Sequence, residues 1–142
     1  MAGFARHDDR GLPIGYQLKP QFEISPRGLK DLLDDPVKRQ SLLIVDVRLA
    51  NEVDTAHVAP YLHIPLHEIE SRVDEVVEAA ESKQVVTLCH HGVRSLKASL
   101  FLRSSGVANA LSMAGGIEAW SCAIDPKVPR YERDGSQINI VG

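Results

Sequence analysis

At 142 residues the chain has room for one domain plus terminal segments, and with 44% hydrophobic residues it can fill a single core. A net charge of -3 with no basic run argues against nucleic acid as a partner, and no apolar run approaches the ~20 residues that span a bilayer. Two cysteines make no disulfide framework and residues 1–10 hold no apolar signal-peptide core, so a reduced, cytoplasmic setting is expected.

Residues 1–20 carry scattered charge with glycines and prolines and no periodicity; they read as an arm, extended or partly disordered. Phe22-Glu23-Ile24 is a short strand candidate. Ser25-Pro26 opens a helix, the serine capping and the proline at the first helical position, with Leu29, Leu32 and Leu33 as its apolar stripe. Leu42 to Val47 is an almost unbroken β-prone run, which suits a parallel strand buried on both faces. Arg48 to Leu66, holding Pro60 and Pro65, reads mainly as loop, with a short strand near Leu62–Ile64. A helix is expected over Ile69, Val73, Val76, Val77 and Ala80, and its acidic residues between Glu68 and Glu81 read as a solvated face.

Val85 to Leu88 is the next buried strand. Ser95 to Ser105 is helical on Leu96, Leu100 and Phe101, and Gly106 stops it. Ala108–Leu111 reads as a short strand, Gly115-Gly116 as a turn, and Ile117–Ser121 as a short helix placing Trp120 in the core. Residues 126–142 read as a tail with Pro126 and Pro129, in which Ile138 and Ile140 could add an edge strand. The expected organisation is an arm (1–20), one domain (21–125) and a tail (126–142). Strands alternating with helices predict an open, mostly parallel α/β sheet.

The chemistry concentrates in Cys89-His90-His91-Gly92-Val93-Arg94, followed by Ser95. A cysteine at a strand tip, a short loop and then a helix is a standard arrangement for a thiolate nucleophile. Loop N–H groups and the positive end of the helix dipole favour negative charge on the sulfur. Gly92 lets the backbone turn inward, and Arg94 is expected to face solvent and substrate and to orient a sulfonate-like donor. His90 and His91 could tune Cys89, contact an acceptor, or be solvated loop residues. A zinc site made of Cys89 and the two histidines fits no standard ligand spacing, so no metal is assigned. Cys122 reads as a structural thiol and His57 as a hydrogen-bonding loop residue.

Four segments in register resemble the rhodanese family, over residues 22 to about 125. They are Ile44-Val45-Asp46-Val47-Arg48; Ala56-His57-Val58 through Ile64-Pro65-Leu66; the loop Cys89 to Ser95; and Gly115-Gly116-Ile117-Glu118-Ala119-Trp120. The resemblance implies a three-layer α/β/α fold around a five-stranded parallel sheet. It implies sulfur transfer from a donor such as thiosulfate to a thiol or cyanide through a persulfide on Cys89, with no cofactor. Arg94, His90, His91, Gly92 and Val93 would form the substrate cradle, and Asp46 and Arg48 a salt-bridged brace, with Ser95 in support. Small-molecule donors and acceptors are the implied partners, with a protein sulfur acceptor as a further one. A sulfur-carrier or partner-binding module is the alternative. A phosphatase or arsenate reductase fits less well, because cysteine phosphatases place five residues between Cys and Arg and this loop has four. Ala56-His57-Val58-Ala59-Pro60-Tyr61 departs from the family's Gly-His-Ile-Pro-Gly-Ala, and Tyr61 is expected to border the substrate side.

Overall fold

The computed structural model describes residues 6–142. Five strands, β1 (Glu23–Ile24), β2 (Leu42–Asp46), β3 (Leu62–His63), β4 (Gln84–Leu88) and β5 (Leu111–Met113), form one parallel sheet in the order β1-β5-β4-β2-β3. The two most apolar runs of the sequence, β2 and β4, are its centre and pair along their whole length, from Leu42 opposite Gln84 to Asp46 opposite Leu88. Alternation along these strands feeds two apolar layers. Ile44, Val86 and Leu88 pack with Leu29 of α1 (Pro26–Asp34) and with Ile117 and Trp120 of α6 (Gly116–Ala123). Val45 and Val85 pack with Val76 of α4 (Val73–Ala79) and with Ala98 and Leu102 of α5 (Val93–Ser104). Helices thus cover both faces, giving three α/β/α layers. None of the described helices is long and apolar enough to cross a membrane.

Two short helices lie where the sequence suggests none. α2 (Pro36–Gln40) is set by Asp35, whose carboxylate accepts from the N–H groups of Val37 and Lys38, with Pro36 at the first helical position. α3 (Ala50–Thr55) falls inside the stretch expected as loop, and at six residues it is too short to repeat an apolar stripe. The helix expected over 69–80 is the shorter α4, preceded by a 3-10 turn, Leu66–Glu68. The last sheet strand begins at Leu111 rather than Ala108, because Ser112 and Met113 are the residues that pair with β1.

The terminal segments depart most from expectation. Met1 to Ala5 lie outside the described residues, but residues 6–20 are held by specific contacts. Leu12 is fully buried, Arg10 bonds the Asp8 carboxylate and the Tyr16 carbonyl, and the Tyr16 hydroxyl donates to Glu23. At the other end, Ile138 and Ile140 do not extend the five-stranded sheet. They belong to a separate antiparallel hairpin of β6 (Arg130–Asp134) and β7 (Gln137–Val141), turned at Gly135 with φ 60°. Tyr131 of β6 is 1% exposed and plugs the hairpin into the core.

Candidate active site

β2 and β4 end side by side, so Asp46 and Cys89 emerge at the same edge of the sheet, at the carboxyl ends of its strands. Connections leave this edge in opposite directions, toward β3 on one side and β5 on the other, which opens a crevice there. Cys89 is 1% exposed at its floor. Its Sγ lies 3.0 Å from the N–H of Gly92 and 3.2 Å from Ser95 Oγ. Ser95 Oγ in turn sits 2.7 Å from Ser112 Oγ, and the Ser95 carbonyl accepts from Thr87. Among the N–H groups expected to surround the sulfur, that of Gly92 is the one within hydrogen-bonding distance. Gly92 caps α5 with φ 104°, a conformation that costs glycine nothing.

The loop is fixed from behind by α6. Ile117 N–H donates to the Cys89 carbonyl at 2.9 Å and Glu118 N–H to the His90 carbonyl at 3.1 Å. These donors would otherwise be orphaned at the helix start. Gly116 permits the approach: a Cβ there would overlap the His90 carbonyl.

Arg94 lines the cleft over Cys89, and its guanidinium is held there by a carboxylate that the sequence did not point to. Its Nη1 and Nη2 donate to the two carboxylate oxygens of Glu52 at 2.7 and 2.8 Å, and its side chain is only 22% exposed. Glu52 is fully buried on α3 and also accepts from Leu49 N–H at 3.0 Å and the Tyr131 hydroxyl at 2.8 Å. Burial would raise the Glu52 pKa, but the Arg94 hydrogen bonds, with those from Leu49 and Tyr131, outweigh it and hold the carboxyl down at about 2. A buried carboxylate needs paired donors, and Arg94 supplies the closest ones.

Asp46 and Arg48 form a fully buried ion pair, Nη2 to Oδ2 at 2.6 Å and Nε to Oδ1 at 2.9 Å. Arg48 spends its other donors on the Ala56 and Glu52 carbonyls and the Tyr131 hydroxyl, so it ties α3 and the hairpin to β2. His90 stacks on the Tyr131 ring, with centroids 4.0 Å apart and planes 10° from parallel, and its other neighbour is the His91 ring. Burial, together with the adjacent His91, pushes His90 down to about 4, so it is neutral at pH 7. Its Nε2 is buried without a hydrogen-bond partner among the described residues.

The cleft over Cys89 has a volume of ≈ 450 Å³, at the small end for organic-ligand sites. One wall is the loop, Cys89, His90, His91, Val93 and Arg94; the other is Glu132 and Arg133 of the hairpin. Tyr61 is not part of that lining. It is tilted against His57 at 5.4 Å, and His57 bonds the Val53 carbonyl. No cluster of histidine, cysteine and acidic side chains suited to a metal ion occurs among the described residues.

A family model described as the Rhodanese-like domain matches residues 25–123. The chain belongs to the rhodanese family. It is 36% identical over 118 residues to a maize protein named adenylyltransferase and sulfurtransferase MOCS3-2, covering 80% of this chain and 24% of that one. It is 31% identical over 99 residues to a sulfurtransferase of Allochromatium vinosum, covering 70% of this chain and 87% of the other. A rhodanese-like domain protein of Staphylococcus aureus superposes with a TM-score of 0.61 at 26% identity, over 70% of this chain and 90% of that structure. The chain therefore spans about a quarter of the maize relative and most of the bacterial one.

Within the rhodanese match lie Asp46, Arg48, Glu52 and the loop from Cys89 to Ser95. Tyr131, Glu132 and Arg133 lie beyond its end at residue 123. Glu52, Tyr131 and Arg133 carry no local signal of a role. The one hint is that Glu52 stands four residues after Arg48, and Tyr131 and Arg133 sit in a stretch whose composition suggests a tail.

Proposed function

We propose that this rhodanese-family chain is a sulfurtransferase that carries a sulfane sulfur as a persulfide on Cys89. The Cys89 thiolate attacks the outer sulfur of a donor such as thiosulfate. A new S–S bond forms, the donor's S–S bond breaks, and its electron pair leaves with sulfite. A thiophilic acceptor, cyanide or a thiolate, then attacks the outer sulfur of the persulfide. It departs as thiocyanate or a new persulfide, and the electron pair of the cleaved S–S bond returns to Cys89 as thiolate. The observation that carries this reading is the Cys89 sulfur at the floor of a small cleft, with the Gly92 N–H aimed at it from 3.0 Å. With only four residues between Cys89 and Arg94, the ring suits one sulfur atom better than a phosphoryl group. Arg94 contributes by closing the ring onto Glu52, and Asp46 with Arg48 holds the neighbouring strand end.

Incubation with thiosulfate should add one sulfur to the intact protein by mass spectrometry, and cyanide should then release thiocyanate. Full cyanolysis by Cys89→Ser would overturn the mechanism. A second reading is a carrier that loads Cys89 but delivers to one protein acceptor. It is favoured by Val93, an apolar residue 65% exposed at the mouth of the cleft. Stoichiometric loading with negligible steady-state turnover on cyanide would select it.

A further inference from the structure

The Arg94 guanidinium, the obvious anion-binding group of the loop, is clamped edge-on by Glu52 through two short hydrogen bonds. A second guanidinium reaches the same cleft from outside the family-matched region. On β6, side chains alternate in direction, so Tyr131 and Arg133 share the face turned toward α3. Both touch Glu52: the Tyr131 hydroxyl at 2.8 Å from Oε1, and Arg133 Nη1 at 3.4 Å from Oε2. Glu132 lies between them in sequence, is exposed and lines the same cleft.

That 3.4 Å contact is the long one among the five hydrogen bonds Glu52 accepts. Nε and Nη2 of Arg133 meet no acceptor among the described residues, and the side chain is 37% exposed. At Glu52, Arg94 and Arg133 place two positive charges against one negative charge, while the exposed Glu132 adds a carboxylate of its own to the cleft lining. The hairpin cannot swing this group away freely, because Tyr131 is anchored to Arg48 and Glu52, Asn51 donates to the Ser136 carbonyl, and Arg130 pairs with Glu118.

We propose that Arg133, presented by the C-terminal hairpin, is the residue that holds the oxyanion end of an anionic reagent approaching Cys89, the class being sulfonate- and carboxylate-bearing molecules. Arg133 offers its unused N–H donors to the oxyanion in a planar fork, while its loose contact with Glu52 keeps the guanidinium over the cleft. Under the sulfurtransferase reading, on which the choice of thiosulfate as physiological type of donor rests, the fork binds the sulfonate oxygens and leaves the outer sulfur toward Cys89.

The test compares Arg133→Gln and Arg133→Lys with the unaltered chain in two assays. Thiosulfate:cyanide turnover should show KM for thiosulfate raised ten- to hundredfold in Arg133→Gln and partly restored in Arg133→Lys, with kcat little changed. Alkylation of Cys89 provides the independent assay: the ratio of the iodoacetate rate to the iodoacetamide rate should fall at least fivefold in Arg133→Gln, since only iodoacetate carries an oxyanion. An unchanged KM together with an unchanged alkylation ratio overturns the proposal. So does an equal loss with both alkylating reagents accompanied by a lowered Tm, which is the signature of a merely structural residue. If the chain forms no persulfide at all but the alkylation ratio still falls, the sulfurtransferase reading fails while the assignment of Arg133 stands.

Discussion

Glu52→Gln is the substitution that most directly probes how this site is built. Glu52 is fully buried, and its carboxylate accepts from Arg94 twice, from Leu49 N–H and from Tyr131, with Arg133 at longer range. Glutamine keeps one acceptor oxygen but turns an NH2 group toward donors. Hydrogen bonds to a charged group contribute about 1.5–3 kcal/mol each. Two from Arg94 are lost or weakened, and water reaching the partly exposed guanidinium screens part of their effect, so the net loss at pH 7 is about 3 kcal/mol. For a chain of this length that lowers Tm by about 10 °C. The pH dependence gives a sharper reading. With its pKa held near 2 against an ordinary 4.5, Glu52 contributes fully above pH 4.5. As pH falls from 4.5 toward 2 the unfolded chain takes up the proton first, and about 3 kcal/mol of stability drains away. The glutamine variant has no such group to titrate. Urea unfolding at pH 7 and pH 3 should therefore show a wide gap between the two proteins that narrows to about 1 kcal/mol in acid. A variant within about 1 kcal/mol of the original at pH 7, or a gap of equal size at both pH values, would refute the reasoning.

Two further outcomes follow from the loop. His90 stays neutral down to about pH 4 when folded but ionises near 6.5 when unfolded, so stability should fall by up to about 3 kcal/mol as pH drops through that window. His90→Phe, which keeps a ring against Tyr131, should flatten the urea midpoint over the same range; an unaltered slope would count against the buried neutral imidazole. Gly116→Ala puts a methyl into the His90 carbonyl at a positive φ, and should cost at least about 3 kcal/mol and slow iodoacetamide labelling of Cys89 several-fold. Wild-type labelling in a stable Gly116→Ala protein would mean that the loop is not held by α6.

Much of the fold was legible because its centre is built from local pattern. The β2 and β4 runs are apolar on both faces, as only a covered parallel sheet requires, and Ser25-Pro26 marks a helix start by its own backbone chemistry. The placement of Cys89 between a strand and a helix was legible for the same reason, since strand, loop and helix follow one another in the chain. What escaped was short or distant. α3 is too brief to show a period, and the register of β5 is decided by β1, nearly ninety residues earlier in the chain. The pairing of Arg94 escaped because its nearest partner, Glu52, is 42 residues away in sequence, on a helix that the pattern did not reveal.

The tail was misjudged for a related reason. Its residues are mostly exposed, and Tyr131 is the one side chain of β6 that is buried. Composition averages over such a segment, whereas a single inserted aromatic decides where it docks. With the Tyr131 hydroxyl satisfied by Arg48 and Glu52, 83 and 79 residues away, the next two residues, Glu132 and Arg133, are placed at the Cys89 cleft. The family-matched region thus builds the Cys89 loop, and the hairpin beyond it builds the opposite wall of the cleft. The two are coupled, because Tyr131 bonds both Arg48 and Glu52 and Arg133 bonds Glu52, so a change in the hairpin wall also reaches the pairs that hold the loop.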